Sequence, residues 1–265
     1  MLESLIQSLY FWFKGWHFAV GERLCAPIAE SLPGSISPHC PRFVDGFFTT
    51  FELVVLALIL AFGLARLLTR LQILGPGWLK SGIGAYVYIF QGTPLLIQLW
   101  LVYFGLAQFE WIQASSLWLF LASGWWVGLL VLTLNSAAYQ TNILTGGVRN
   151  LSKGQSEGAD SLGLSERLKY HRVLFPQALR ASWPALANES ILLLKASALV
   201  STITVLDLMG HARTVFSRSY DLAVYGGAAI LYIALTALIT LLAYLIRRYG
   251  FASLPSDPWF RGLMR

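Results

Sequence analysis

The chain has 265 residues, of which 56% are hydrophobic and only 12% charged, and its mean hydropathy is +0.62. Soluble domains carry about 25% charged residues, so an ordinary aqueous domain is excluded and lipid must be the solvent for much of the chain. The formal net charge of +6 does not point to nucleic acid, because the basic residues sit between apolar runs and form no single stripe.

The first twenty residues, MLESLIQSLYFWFKGWHFAV, lack a basic n-region and carry Lys14 and His17 inside the apolar stretch. They do not read as a removable signal peptide. With Trp12, Trp16 and several phenylalanines they predict an interfacial amphipathic helix over residues 5–20, and a short extra span is the alternative. Turn formers follow: Pro27, Pro33, Gly34, Pro38 and Pro41. The two cysteines, Cys25 and Cys40, fall in the same stretch and would close a small loop in an oxidising compartment. Two unpaired, partly buried thiols are the other reading.

Five stretches are long enough to cross a bilayer core, which takes about 20 apolar residues in helix. They lie near residues 46–68, 83–106, 117–139, 186–208 and 224–246. The fold class is therefore an all-α integral membrane protein. An N-terminal segment of residues 1–42 precedes a transmembrane domain over 43–250, and a tail over 251–265 follows. Orientation comes from Lys and Arg between the spans. With the N-terminus outside, the inner side collects thirteen basic residues, among them Arg66, Arg70, Lys80, Arg149, Lys153, Arg167, Lys169, Arg172 and Arg180. The outer side holds five, and Lys195 falls within a span. This predicts a periplasmic N-terminus and a cytoplasmic C-terminus.

The longest polar interruption, within residues 147–183, then lies inside. Leu162, Leu164, Leu168 and Val173 recur among its charges, the pattern of short helices with a buried and an exposed face. Gly158 and Gly163 permit tight turns or close backbone approach, and Pro176 and Pro184 limit any continuous helix. Two or three short helices near the membrane surface are expected, forming a docking surface where a bland connector would need no such spacing.

Within this loop Glu157-Gly158-Ala159, then Gly163, then Leu174-Phe175-Pro176 resemble the EAA loop of ABC importer permeases, with Gly158 where the middle Ala is usual. Residues 91–105, 134–159 and 188–210 extend the resemblance to the polar amino acid uptake permeases, most closely the arginine and histidine uptake permeases. The first 40 or so residues have no counterpart in it. The resemblance implies a type I ABC importer architecture in the bacterial inner membrane. Two homologous permease subunits, a heterodimer in the closest members, would form the pathway. An ABC ATPase dimer would bind their EAA loops, and a periplasmic binding protein would deliver arginine, histidine or lysine. ATP and Mg would sit on the partner ATPase, with no cofactor on this chain. Glu157, Gly158, Ala159 and Gly163 would form or border the coupling helix, and Pro176 would fix its exit angle.

Polar residues inside spans are costly and usually face a partner or a water-filled cavity. Asn188, Lys195 and Thr202 are spaced seven apart and share one helical face, whereas Glu189 points elsewhere. A carboxylate there would suit a cationic amino acid or pair with a structural Arg. Asn135, Tyr139 and Asn142 form a second polar stripe, with Ser136 and Gln140 beside it. Gln91 and Gln98 share a face around Thr93-Pro94, where a kink is expected because Pro94 removes a backbone donor. Broken helices often line transport paths, though interhelical hydrogen bonding without substrate explains such residues too. Gly124 and Gly128 form a GxxxG assigned to helix packing.

No catalytic set is present. GPGWLKS at 75–81 has Leu79 where a phosphate loop needs its second Gly. His17, His39, His171 and His211 are scattered, without metal-ligand spacing. The chain is thus expected to be a transport subunit and not an enzyme. A secondary transporter or channel without an ATPase partner is the alternative, but inverted repeats, which would favour it, are not found.

Overall fold

The computed structural model describes residues 15–31, 34 and 36–250, and among these there is no strand. The interfacial reading of residues 5–14 and the tail at 251–265 lie outside the described residues.

Helix α1 covers residues 15–25. It turns one face inward, with His17, Gly21 and Cys25 buried at successive i, i+4 positions. Each rung of that stripe grips the next helix, α2 (Cys40–Leu74). Cys25 is disulfide-bonded to Cys40 across a separation of 15 residues. A Cβ at Gly21 would lie 3.0 Å from Pro41. His17 Nε2 donates to Glu52 Oε1 at 2.9 Å. The partners descend along α2 as the residues ascend along α1, so the two helices run antiparallel. Asp45 completes the contact: its carboxylate lies 3.5 Å from His17 Nδ1 and 3.0 Å from His211 Nε2. Two of the histidines that look scattered in the sequence, His17 and His211, thus meet at one carboxylate, because the fold returns to Asp45 after a long excursion. Closing the short loop between Cys25 and Cys40, a separation of 15 residues, contributes about 3 kcal/mol in the chain-entropy view. Alkylation of the purified chain should add mass at both cysteines only after reduction; labelling without reductant would rule the bond out.

Helix α2 has 35 residues and no internal proline. It stops where Pro76 forces Gly75 into an extended conformation, φ −78° and ψ 170°. The same device ends α3 (Gly77–Gly92): Thr93, before Pro94, is extended at φ −112° and ψ 140°. Helix α4 (Leu95–Trp100) then leaves at a bend of 104° and runs into a π turn over Leu101–Gly105. The single span expected at 83–106 is therefore a broken pair. Two short helices, α5 (Glu110–Gln113) and α6 (Trp118–Leu121), lead to α7 (Gly124–Arg149).

The span expected at 117–139 corresponds to α7, which starts later and runs ten residues further. At 26 residues it is about 39 Å long, enough to cross a bilayer, but it is too polar to qualify by composition. Among the described residues three helices are long and apolar enough to cross a membrane, or four if the bent pair counts as one, and α7 would make the five that the sequence suggested. The polarity of α7 has a packing reason. It is the central helix, and Asn135, Ser136, Gln140, Thr141 and Thr145 are all buried against protein. Its first turns lie close against a 3-10 turn over Ala198–Ile203, where a Cβ at Gly128 would fall 2.6 Å from Val200 Cγ1.

Helices α8 (Lys153–Ser161) and α9 (Glu166–Lys169) form the long polar loop. A π turn over Tyr170–Leu174 joins α9 to α10 (Phe175–Ser197). The prolines do not limit this helix as expected, for the rod is continuous from Glu166 to Ile203. Pro176 occupies the first turn of α10, where a missing N–H costs little. The preceding π turn, closed by Phe175 N–H to the Tyr170 carbonyl, absorbs the change of register. Pro184 sits inside the helix at an exposed position. Helices α11 (Leu208–Ser219) and α12 (Ala223–Gly250) complete the bundle. The core forms three clusters along it. One centres on Leu53, Leu132, Val200 and Ile203, one on Phe43, Leu208, Val215 and Leu235, and one at the loop end on Leu144, Tyr170 and Phe175. Large apolar residues such as Ile59, Ile230 and Ile233 point outward, the inversion of a soluble surface that a lipid solvent permits.

Candidate functional site: a cavity at the broken helix and a braced loop

Pro94 cannot donate to the carbonyl of Phe90, so the break leaves an orphan acceptor at membrane depth, which is expensive unless repaired. Two side chains repair it. Gln98 Nε2 donates to Phe90 O at 3.0 Å, and Asn135 Nδ2, from α7, donates to the same oxygen at 3.2 Å. Gln98 Nε2 also lies 3.0 Å from Thr93 O and 2.8 Å from Thr93 Oγ1, and its Oε1 accepts from Asn135 at 3.1 Å. These amides hold the broken helix open at a fixed angle.

Beside the break, α3, α4, α7 and α10 line an open cavity of about 450 Å³. Gln91, Thr93, Asn135, Tyr139 and Glu189 supply its polar lining, with Leu192, Leu193 and Ala196 among the apolar walls. Glu189 is its one acidic residue, only 5% exposed. Ser136 Oγ donates to Glu189 Oε1 at 3.0 Å, and Gln140 Nε2 donates to Ser136 Oγ at 3.1 Å. The sequence set Ser136 and Gln140 beside the polar stripe; the structure makes them the support of the carboxylate. A buried charge needs pairing and hydrogen bonds to be tolerated, and among the cavity's lining residues none is basic. The cavity therefore holds one buried carboxyl with a hydroxyl donor and no basic residue beside it.

The remaining expected pathway residues are placed elsewhere. Asn188 and Lys195 are exposed on another face of α10. Thr202 Oγ1 accepts from Trp100 Nε1 at 3.0 Å and donates to Leu199 O. Asn142 lines a second recess of about 380 Å³ with Gly146, Asn150 and Ser182. Gln98 is committed to the helix break and does not line the cavity.

At the loop, Ala159 is buried while Glu157 and Gly158 are exposed on α8. Gly158 makes no close approach, and a Cβ there would meet open space. Gly163 has φ +72°. Its N–H donates to Asp160 O and that of Leu164 to Ala159 O, the paired bonds of a Schellman stop that favour glycine at this position. Ser165 caps α9, its Oγ accepting from Leu168 N–H. Phe175 stacks under the Arg66 guanidinium at 5.4 Å, which ties the end of the loop to α2. Leu162 stands out at the tip, 79% exposed. Among the described residues no group of three or more His, Cys, Asp or Glu is arranged to hold a metal ion.

A bundle of lipid-facing helices, opened by a repaired break onto a cavity with one buried carboxyl and ending in a braced polar loop, defines a membrane transport subunit. The chain belongs to the family described as binding-protein-dependent transport system inner membrane component, whose model matches residues 54–250. It is thus a multi-pass inner-membrane permease of the polar amino acid uptake group. It is 44% identical to the arginine ABC transporter permease protein ArtM of Haemophilus influenzae over 75% of this chain and 88% of that one. With ArtM of Escherichia coli it shares 35% identity, over 81% and 96% of the two chains. The octopine transport system permease protein OccM of Rhizobium radiobacter is 37% identical over 73% and 78%. Among solved structures, an amino acid ABC transporter with histidines superposes with a TM-score of 0.71 at 31% identity, covering 81% of this chain and 96% of that one. The MetNI methionine ABC transporter in an inward-facing conformation, at 20% identity and a TM-score of 0.66, shares the fold.

Proposed function

We propose that this chain is one of two homologous permease subunits of an ATP-driven importer of basic amino acids, with arginine as the first substrate to test and histidine and lysine as others. The observation that carries the reading is Glu189, a buried carboxylate lining a cavity without a basic partner. The volume falls within the about 300–1,000 Å³ usual for small-molecule sites. Gln91, Thr93, Asn135 and Tyr139 would meet the amino acid's polar ends.

The loop over 147–183 is the ATPase contact, with Glu157 and Gly158 presented on α8, Ala159 anchoring it, and Gly163 and Pro176 shaping entry and exit. That loop is cytoplasmic, since the basic residues gather at its end of the bundle. The end bearing the Cys25–Cys40 bond faces the periplasm, where residues 1–42 begin the chain, with 251–265 as a cytoplasmic tail. A secreted binding protein delivers substrate, ATPase closure moves α8, and ATP and Mg stay on the ATPase, so this chain needs no cofactor. The companion permease is a second, related chain, so that the pathway is a heterodimer.

The test is reconstitution of the chain with its companion permease, ATPase and binding protein in vesicles. Arginine should stimulate ATP hydrolysis and accumulate inside; a complex that none of arginine, histidine and lysine stimulates would refute the reading. Glu157→Lys reverses a charge on the presented face of α8. It is expected to cut coupled uptake by about thirtyfold or more, the scale of a misplaced interfacial charge, and undiminished uptake would remove α8 from the contact.

A further inference from the structure

Lys169 is only 6% exposed, an unusual place for a lysine unless its charge is matched. Its Nζ donates to Asp160 Oδ1 and to Glu166 Oε1, both at 2.8 Å. The Glu166 arm is an ordinary i, i+3 helix pair and contributes little by itself. The Asp160 arm differs, because Asp160 belongs to α8 and Lys169 to the end of α9, with the left-handed corner at Gly163 between them. A second bond closes the same joint: Gln177 Nε2, on α10, donates to Gln155 Oε1 of α8 at 3.0 Å. The presented residues Glu157 and Gly158 lie between these two attachments.

Lys169 also begins the rod that reaches the cavity. From Glu166 to Ile203 the helix runs unbroken for 38 residues, about 57 Å. That is nearly twice an about 30 Å hydrocarbon core, so part of the rod must project beyond it, and the end that carries Glu166, Arg167, Lys169 and Arg172 is the end that lipid disfavours. In the projecting part the hydrogen bonds from Lys169 to Asp160 and then to Glu166 hold the lysine pKa above its ordinary value, and the ammonium stays charged at neutral pH.

We infer that Lys169 is a positioning residue that fastens α8 to the α9–α10 rod, so that a displacement imposed on α8 is delivered as motion of Glu189 in the cavity. Without the brace the corner at Gly163 would act as a hinge, and movement of α8 would be absorbed there. The inference rests on the reading of α8 as the ATPase contact.

The test measures ATP hydrolysed per arginine accumulated in the reconstituted four-component transporter. Lys169→Met is expected to raise that ratio by about fivefold or more, the range of a lost coupling free energy. Lys169→Arg, which can still bridge both carboxylates, should restore it. A brace that served only folding would lower hydrolysis and uptake together and leave the ratio unchanged, and that outcome overturns the inference, as does an unaltered Lys169→Met transporter. Should Lys169→Met fail to assemble, the double variant Asp160→Asn, Glu166→Gln keeps the lysine and loosens the same joint, with the same expectation. Failure of both to assemble would mark the brace as a folding requirement and overturn the inference. A wild-type complex without arginine-stimulated hydrolysis refutes the importer reading itself, a result distinct from any of these.

Discussion

Replacing Glu189 with glutamine is expected to lower arginine uptake by about thirtyfold while leaving uptake of a neutral isostere such as citrulline within a factor of about two. The size follows from removing one member of a charge pair in a partly desolvated cavity, about 2 kcal/mol at the low end of such losses. Glutamine keeps the shape and still offers an oxygen to Ser136, whose bond to Glu189 Oε1 measures 3.0 Å. The variant therefore deletes charge and little else. The measurement is a pair of initial-rate titrations, arginine and citrulline, at equal amounts of assembled transporter. A change of the arginine KM with little change in kcat would mean that Glu189 holds the cation equally at rest and during passage. A loss mainly in kcat would mean that the carboxylate is felt most during the switch between states. Equal losses for the two substrates would remove Glu189 from the substrate contacts, and its carboxylate would then be a strut between α7 and α10. Ser136→Ala offers a second view of the same point. It removes the neutral donor and leaves the charge, so a cation's attraction should persist even where assembly weakens.

The sequence made the break at Thr93-Pro94 legible because proline's missing donor is a local fact. It did not reveal what repairs the break, since Asn135 reaches Phe90 O from a helix 45 residues further along. The seven-residue spacing of Asn188, Lys195 and Thr202 is likewise a true statement about one helix and silent about which face its neighbours cover. The inward face of α10 is marked instead by Ala178, Ser182, Leu186, Glu189, Leu193 and Ser197, at steps of three and four. Those are small or apolar residues with one carboxylate among them, and that stripe was a usable signal for Glu189. Gly163 could be read from its type and place because a Schellman stop calls for a left-handed residue. Pro176 and Pro184 misled, because a proline's effect depends on whether its turn needs the missing donor, and the first turn of α10 does not. For α7, the span expected at 117–139 was found but ended ten residues too early, where the sequence turns polar. A helix walled by other helices has no need to be apolar all round, so the residues that lower its hydropathy are the ones that build the cavity wall.

Asp45→Ala is the substitution expected to cost most in stability, about 3 kcal/mol, because it removes a buried acceptor and leaves its hydrogen-bond partner unsatisfied. Asp45 is 6% exposed and lies between His17 Nδ1 at 3.5 Å and His211 Nε2 at 3.0 Å. Truncating it would take a carboxylate away from two imidazoles that sit 2% and 7% exposed. His17 would keep Glu52 at 2.9 Å, whereas the α11 side would lose the acceptor for His211. Loss should therefore be uneven, loosening α11 from α2 more than α1 from α2, where the disulfide still holds. Thermal unfolding of the detergent-solubilised chain would register the total. A cycle with His211→Ala would isolate the shared part, with a coupling of about 1–3 kcal/mol expected for direct partners. Strict additivity of the two substitutions would mean that the carboxylate and the imidazole are neighbours without an energetic bond. The location makes the outcome informative beyond stability. The family match begins at residue 54, so His17, Asp45 and Glu52 all precede it and only His211 falls inside. A measured coupling would mean that the matched region is fastened through His211 to Asp45, in the first turns of α2 and ahead of that region; the same cycle run between Asp45 and His17 would show whether α1 shares the joint.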